Sequence, residues 1–326
     1  MRRRLSALVL LLMGTALHAE TPFATGDVLV SRGGGCFPGF GNGCAELQKI
    51  DIVGHDGIGK RTMPLPLWSR ERGVLATTER VIFGSSTSSV TGSSVVSVSN
   101  DGLTVSTSWL KELGLWTLTN IVPLRSGEFL VGEQSPWVLS RLVKFDGAGQ
   151  VTAVYTIPPE PWLRGASVIE VFADQCTVAW TPNYMREQTD VRLLNSVRAF
   201  DICANAPRPD LLVRPGEWNF VYDIRQLSNG DLLLATARDL ERYDRGGAQV
   251  AVYPYRELNG FALTPDGRGF WTSTESEVRR IEFAAPDVVA ARFAGALFNP
   301  GIIGVVGEWR ASLQPAPPAR RRSMRH

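Results

Sequence analysis

A short pattern of strand residues recurs six times along the chain, and this repetition constrains the fold more than any other feature. Each copy holds apolar strands separated by glycine-containing turns, and its third strand ends on an apolar residue followed by Asp, Glu or Ser. These third strands end at Asp51, Ser99, Asp146, Asp201, Asp244 and Glu282, which are 48, 47, 55, 43 and 38 residues apart. No long stretch shows the i, i+3, i+4 spacing of an amphipathic helix.

Repeats of about 40–50 residues, each with four short strands, are typical of β-propeller blades. The first copy begins at its second strand, Gly26–Val30, and one apolar strand, Ile302–Val306, is left over after the last copy. We therefore predict an all-β, six-bladed propeller of four-stranded blades, closed by a C-terminal strand that completes the N-terminal blade. Closure of this kind buries two strand edges. A generic β-sandwich is the alternative, but it does not explain six copies of one unit.

The first nineteen residues have the pattern of an export signal. Three arginines (residues 2–4) precede the short apolar run Leu5–Leu17, and Ala19 supplies a small residue for cleavage. The run is shorter than the ~20 apolar residues that a membrane span needs. We predict a signal peptide over residues 1–19, one propeller domain over residues 20–313, and a disordered basic tail over residues 314–326. The expected product is a secreted or periplasmic monomer that does not span a membrane.

Removal of this signal changes the charge balance. The 34 Lys+Arg of the chain fall to 31 against 32 Asp+Glu, and four of the remaining arginines lie in the tail. The predicted domain is therefore acidic. This excludes the overall basic charge expected of a nucleic-acid-binding protein.

Four cysteines in an exported chain favour disulfides. Cys36 and Cys44 bracket a glycine-rich loop, which favours a local bridge between them. Cys176 begins the second strand of blade 4, and Cys203 follows its third strand. Because these two strands are antiparallel neighbours, the start of one lies beside the end of the other. We therefore predict a second bridge, between Cys176 and Cys203.

Two runs resemble the repeats of a known group of propellers. Tyr222–Leu233 (YDIRQLSNGDLL) and Leu263–Gly267 (LTPDG) are similar to repeats of the NHL-repeat and virginiamycin B lyase-like six-bladed propellers. The gluconolactonase and SMP-30 lactonases belong to the same superfamily. The resemblance extends from about Gly26 to Arg310 and rests on structural motifs, so it implies a fold and not an activity.

The resemblance also implies a candidate metal site in the central channel. Lactonase-like propellers hold a calcium ion there through Glu, Asn and Asp side chains, which suit a hard cation. Asn120, Glu170 and Asp223 lie on predicted inner strands and are the candidate ligands for Ca²⁺ or Mg²⁺. The alternative is a channel whose charges pair with one another, with Asp223 beside Arg225.

No catalytic constellation stands out in the sequence. Virginiamycin B lyase-like enzymes use a histidine base with a magnesium ion, whereas His55 lies in the predicted outer turn Gly54–Gly57. A general base there would be on the wrong face of the ring for a ligand held by the long loops.

The long predicted connections all leave from one face of the ring, which is where binding residues usually concentrate. Four tryptophans lie in or beside these connections: Trp68, Trp137, Trp162 and Trp218. Packing between blades is the other role that such tryptophans take. We predict a non-catalytic binding or scaffold module that holds a protein, peptide or glycan on this face. The alternative is a divalent-metal-dependent lyase or lactonase that works in the channel.

Overall fold

The structure, a computed structural model, describes most of the predicted propeller. The described residues are 23–32, 49–64, 70–86, 93–100, 105–109, 113, 117–134, 141–158, 163–184, 196–214, 221–236, 238–253, 261–273, 277–294 and 300–315. They contain no helix that is long and apolar enough to cross a membrane.

Six antiparallel blades of four strands form a ring, as the repeat predicts, and one bridge between Gly165 and Gln134 joins the sheets of blades 3 and 4. Blade 1 is formed by β24 (Pro300–Val305), β1 (Val28–Arg32), β2 (Lys49–Val53) and β3 (Gly59–Pro64). Blade 2 is formed by β4 (Arg70–Ala76), β5 (Arg80–Ser86), β6 (Ser93–Ser99) and β7 (Val105–Trp109). Blade 3 is formed by β8 (Thr117–Pro123), β9 (Phe129–Gln134), β10 (Arg141–Phe145) and β11 (Val151–Thr156).

The second half of the ring repeats this order. Blade 4 is formed by β12 (Leu163–Val171), β13 (Thr177–Tyr184), β14 (Ser196–Asp201) and β15 (Ala206–Val213). Blade 5 is formed by β16 (Val221–Gln226), β17 (Leu232–Thr236), β18 (Leu240–Tyr243) and β19 (Gln249–Tyr253). Blade 6 is formed by β20 (Phe261–Leu263), β21 (Gly269–Ser273), β22 (Glu277–Glu282) and β23 (Ala285–Ala294).

The C-terminal strand closes the ring in the way that the sequence predicts. β24 pairs antiparallel with β1, with Val305 opposite Val28 and Gly304 opposite Leu29. Both valines are completely or almost completely buried. The predicted closure of the N-terminal blade is therefore confirmed.

Burial follows the position of each strand within its blade. β14 and β17 are buried along their whole length, because neighbouring blades cover both of their faces. The outer strands β11 and β19 are mostly exposed and carry exposed valines such as Val154 and Val250. The core consists of apolar layers between adjacent blades, and the inner strands surround the channel.

Most of the short turns between strands lie on one face of the ring, here called the tight-turn face. They include residues 54–58, 124–128, 146–150, 172–176, 227–231, 244–248 and 264–268, whereas the short connections from Thr236 to Leu240 and from Ser273 to Glu277 lie at the other face. Gly57 shows why several of these turns need glycine. Its φ is +87°, and a Cβ there would lie 2.6 Å from the carbonyl oxygen of Arg292 in blade 6. The opposite face, from which the connections 33–48, 135–140 and 185–195 leave, is called the long-loop face.

Candidate functional site in the central channel

The ten residues after Val305 cover the channel at the tight-turn face, and they are called the C-terminal segment (residues 306–315). Gly307 turns the chain out of β24: its φ is +72°, and a Cβ would lie 3.1 Å from Thr25 Cγ2. A single 3-10 turn, Ala311–Leu313, follows. Ala311 and Ser312 are almost completely buried, so the segment packs into the ring and does not lie on its surface.

Hydrogen bonds tie this segment to turns and inner strands of the other blades. Gly307 N–H donates to the Ala76 carbonyl of blade 2 at 3.3 Å. The Gln175 side chain of blade 4 donates to the Ser312 carbonyl at 2.6 Å. The Arg125 guanidinium of blade 3 donates to the carbonyl of Gln314. Contacts to several blades make the segment a cap on the channel, including Gln314, the first residue of the predicted tail.

Two charged side chains of this segment enter the channel and join three others. Together, Glu170, Asp223, Arg225, Glu308 and Arg310 form what is called the channel network. Arg310 donates to Glu170 Oε2 at 3.1 Å and lies 2.6 Å from Glu308 Oε2. Arg225 donates to Glu308 Oε1 at 2.8 Å and also binds Asp223. All five residues are at most 6% exposed.

The network connects three regions of the chain across the channel. Glu170 lies on β12, Asp223 and Arg225 lie on β16, and Glu308 and Arg310 come from the C-terminal segment. Glu308 Oε1 also accepts a hydrogen bond from the Leu263 N–H of blade 6 at 2.9 Å. The five described residues of the network therefore neutralise one another to within one charge.

Burial changes the acidity of these groups. Burial raises the pKa of Glu170 to about 7, although the positive charges of Arg310 and Arg225 oppose the shift. Burial likewise raises the pKa of Asp223 above its ordinary value. Burial alone would lower the pKa of Arg225, but the surrounding carboxylates of Asp223, Glu308 and Glu170 raise it instead. Burial thus raises the pKa of two acids of the network, Glu170 and Asp223, and brings that of Glu170 near neutral pH.

The three predicted metal ligands lie around the channel, and each already has a partner. The Asn120 amide donates to the Ile169 carbonyl at 2.5 Å and accepts from the Ile169 N–H at 2.7 Å, which joins blade 3 to blade 4. Asp223 Oδ1 accepts from Arg225 and from the Ile224 N–H. These side chains fit a divalent ion poorly as arranged, because a metal would have to displace a guanidinium or break the Asn120 bonds. The metal site stays a prediction.

Three polar atoms in and beside the network have no hydrogen-bond partner among the described residues. They are Glu170 Oε1, Arg310 Nε and Ser312 Oγ, and all three are buried. Two of the three atoms belong to the ion pair of Glu170 and Arg310. This part of the channel is consequently the least satisfied portion of the network.

The predicted disulfide of blade 4 is present. Cys176 and Cys203 are bonded, with their Cα atoms 5.1 Å apart, at the tight-turn end of β13 and β14. Asp201 lies beside them, but the two sulfurs are bonded to each other and offer no thiolate to a metal. Cys36 and Cys44 lie outside the described residues.

The predicted ligand face is also outside the part of the chain that the structure describes. This applies to Trp68, Trp137, Trp162 and Trp218, and equally to residues 1–19 and 316–326. His55 is described, and it is exposed in the turn 54–58 on the tight-turn face. The channel network was the part of the site that the sequence placed least well, because Glu308 and Arg310 occupy no repeating position.

A groove on the tight-turn face adjoins the C-terminal segment. It has a volume of about 410 Å³ and lies between blades 4 and 5. Phe172, Leu211, Leu227 and Trp309 give it an apolar lining, and Arg245 contributes charge. Its size is within the range of small-ligand pockets, roughly 300–1,000 Å³.

Comparisons with known proteins support the fold but do not identify a family or an activity. No protein-family model matches the sequence, and no curated protein is significantly similar to it. A protein of unknown function from Bacteroides caccae matches with a TM-score of 0.59 at 14% identity, over 87% of this chain and 99% of its own. TolB from Acinetobacter baumannii matches with a TM-score of 0.58 at 11% identity, over 86% of this chain and 66% of its own.

A more distant match is virginiamycin B lyase from Staphylococcus aureus. Its TM-score is 0.49 at 12% identity, over 73% of this chain and 74% of its own. At such identities a shared architecture does not imply a shared activity. The assignment to NHL-repeat or SMP-30 proteins remains an expectation from the sequence.

Proposed function

We propose that this chain is an exported, non-catalytic binding or scaffold propeller that holds a protein, peptide or glycan on its long-loop face. The observation that carries the proposal is the closure of the channel. The C-terminal segment covers its tight-turn end, and Arg225 and Arg310 form ion pairs with three carboxylates inside it. Among the described residues, the acids at this end of the channel are buried and contact arginines, which leaves none of them open to a substrate.

The geometry of the strands supports the choice of face. Short turns occupy the tight-turn face, whereas residues 33–48 and 185–195 connect strand ends at the other face. Long connections on a rigid scaffold are common binding surfaces, and tryptophans are common anchors in them. The Cys176–Cys203 disulfide is compatible with the proposed periplasmic or secreted location.

Binding to a panel of glycans and peptides tests the proposal. For each ligand that the mature protein binds, we expect a Trp68→Ala or Trp162→Ala variant to weaken binding by about tenfold or more, as loss of an aromatic anchor does. The matched control is Trp309→Ala, which removes a tryptophan from the groove on the opposite face. Loss of binding in Trp309→Ala, with binding unchanged in Trp68→Ala and Trp162→Ala, would place the ligand in the groove and contradict the proposed face.

The second candidate is the divalent-metal-dependent lyase or lactonase, with its site in the channel. One observation favours it: Glu170 Oε1 is buried without a partner, and the pKa of this carboxyl is raised to about 7. Raised carboxyl pKa values are found at catalytic sites and in structural ion pairs alike. The pairing of Glu170 and Asp223 with arginines supports the structural role.

A further inference from the structure

The groove beside the C-terminal segment is formed where two layers of the core reach the surface. Phe172 and Leu211 of its lining pack against the apolar layer between blades 4 and 5. Trp309, also in the lining, packs against the layer between blades 5 and 6, to which the buried Leu227 belongs. Because these core layers hold the walls in place, the volume of about 410 Å³ does not depend on a ligand to shape it.

Arg245 gives the groove a positive charge whose position is set by the adjacent turn. Its Nε donates to the Asn229 carbonyl at 2.7 Å. Gly230 permits this approach, because its φ is +88° and a Cβ there would lie 2.8 Å from Arg245 Nη2. Arg245 forms no ion pair among the described residues, so its Nη1 and Nη2 are left to donate to a ligand.

Two acids also line the groove, but both are engaged elsewhere. Asp244 Oδ1 accepts from two backbone amides of its own turn, at 2.8 and 2.9 Å. Asp174 accepts from the amide and the hydroxyl of Thr177 and lies 3.9 Å from Arg208. Within the described part of the chain, neither acid pairs with Arg245. The charge that the lining offers to a ligand is therefore the guanidinium.

Three other side chains of the lining carry hydrogen-bond donors. Trp309 Nε1, Ser228 Oγ and Gln226 Nε2 make no hydrogen bond to the described residues. A ligand that fits the groove must consequently supply acceptors. A carboxylate is the acceptor that best matches the planar fork of a guanidinium, and an aromatic ring suits walls that contain Phe172 and Trp309.

We propose that this groove binds a small aromatic carboxylate, with the ring against Phe172 and Trp309 and the carboxylate on the guanidinium of Arg245. The ring takes the apolar contacts, and the carboxylate fixes the orientation of the ligand. This site goes beyond the proposed function, since the groove lies on the tight-turn face and the long loops leave from the opposite face.

Isothermal titration calorimetry of the full mature protein with 2-naphthoate measures this binding. We expect a dissociation constant of about 1 mM or lower, as for other ligands of this size. Two probes keep the ring and change the charge: 2-naphthamide is neutral, and 2-naphthylmethylamine is a cation. The amide should bind about fivefold more weakly or worse, and the cation more weakly still. Equal affinity for all three probes, or no saturable binding of 2-naphthoate at about 10 mM, would overturn the proposal.

Arg245→Met tests the charged half of the site. It keeps an apolar stem and removes the guanidinium, so 2-naphthoate should bind about as weakly as 2-naphthamide does, whose affinity should not change. The matched control, Arg268→Met, removes an exposed arginine from a blade 6 turn on the same face and should leave both affinities as in wild type. An unchanged affinity for 2-naphthoate in Arg245→Met, or an equal loss in both variants, would assign the charge preference to another group and overturn the proposal.

Trp309→Ala tests the apolar half. It should weaken 2-naphthoate and 2-naphthamide by the same factor, about tenfold, because both probes use the ring contact. If this variant fails to fold, the half-buried Leu211 replaces it, and Leu211→Ala should weaken both probes alike. Full affinity in a folded variant would contradict the groove as the site. The glycan and peptide tests of the long-loop face use different ligands, so either proposal can fail without the other.

Discussion

The C-terminal residues of this chain close the propeller twice, by two kinds of chemistry. β24 completes blade 1 through backbone hydrogen bonds and buried apolar side chains, with Val305 opposite Val28. The C-terminal segment then closes the channel through Glu308 and Arg310, which bind charged groups of blades 4 and 5. Within a stretch of a few residues, the chain changes from a closure made by its backbone to one made by particular side chains.

The difference between these closures determines how each responds to change. A backbone ladder tolerates many side chains, because its hydrogen bonds do not depend on residue identity. A buried charge network adds little net stability compared with apolar residues of similar size. Removal of one charged residue, however, leaves its partners buried without a counter-charge. We therefore regard β24 as the element that holds the ring, and the segment as the element whose contribution depends on particular charged side chains.

The largest expected effect comes from a break in the charged closure. Arg310→Met leaves Glu170 and Glu308 short of a partner, and it should lower the free energy of unfolding by about 3–5 kcal/mol. Urea denaturation measures this loss. Arg268→Met, at an exposed turn position, is the control and should cost no more than about 0.5 kcal/mol. A loss below about 1 kcal/mol for Arg310→Met would contradict the network.

The pH dependence of stability should separate the two closures. The pKa of Glu170 is raised from 4.5 to about 7 in the folded protein, so the contribution of Glu170 to stability is fully present below pH 4.5 and is lost as pH rises to 7. At about 1.4 kcal/mol per pH unit, the loss is on the order of 3 kcal/mol. Asp223, whose pKa burial also raises, acts in the same direction.

Other carboxyls act in a different window and serve as an internal check. Hydrogen bonds lower the pKa values of Glu128 and Asp266, so their contributions are lost only as pH falls below the ordinary carboxyl range. The free energy of unfolding should fall between pH 5 and 7 in wild type and fall less steeply in Glu170→Gln, which retains only the contribution of Asp223. Equal slopes in both proteins would assign the dependence to another group.

The apolar closure should respond in a smaller and pH-independent way. Val305→Ala removes two buried methyl groups and is expected to cost about 2–3 kcal/mol, with the wild-type pH slope retained. Val288→Ala, on an outer strand where the valine is 59% exposed, is the matched control and should be nearly neutral. A pH slope that changes in Val305→Ala would mean that the two closures are not separate.

The sequence was a good guide wherever the repeat fixes a position. Six blades, the leftover strand that pairs with β1, and the Cys176–Cys203 bridge all follow from counting strands in order. The alternative of a self-paired channel also placed Asp223 beside Arg225 correctly.

The rest of the channel could not be predicted, because it depends on residues outside the repeat. Glu308 and Arg310 follow the last strand. In the sequence, two charged residues on either side of Trp309 are as typical of an exposed surface as of a buried cap. Asn120 carries the side chain of a metal ligand, yet here it binds the backbone of Ile169. Only the three-dimensional position distinguishes a ligand from a structural clamp.

The melting temperature of the mature protein with and without divalent ions decides whether the channel charges pair with one another or hold a metal. We expect the same melting temperature, within about 1 °C, in millimolar Ca²⁺, in millimolar Mg²⁺ and in chelator, because no binding energy is linked to the folded state. A saturable rise of several degrees with either ion, abolished by Glu170→Gln or Asp223→Asn, would contradict it and establish a metal site in the channel.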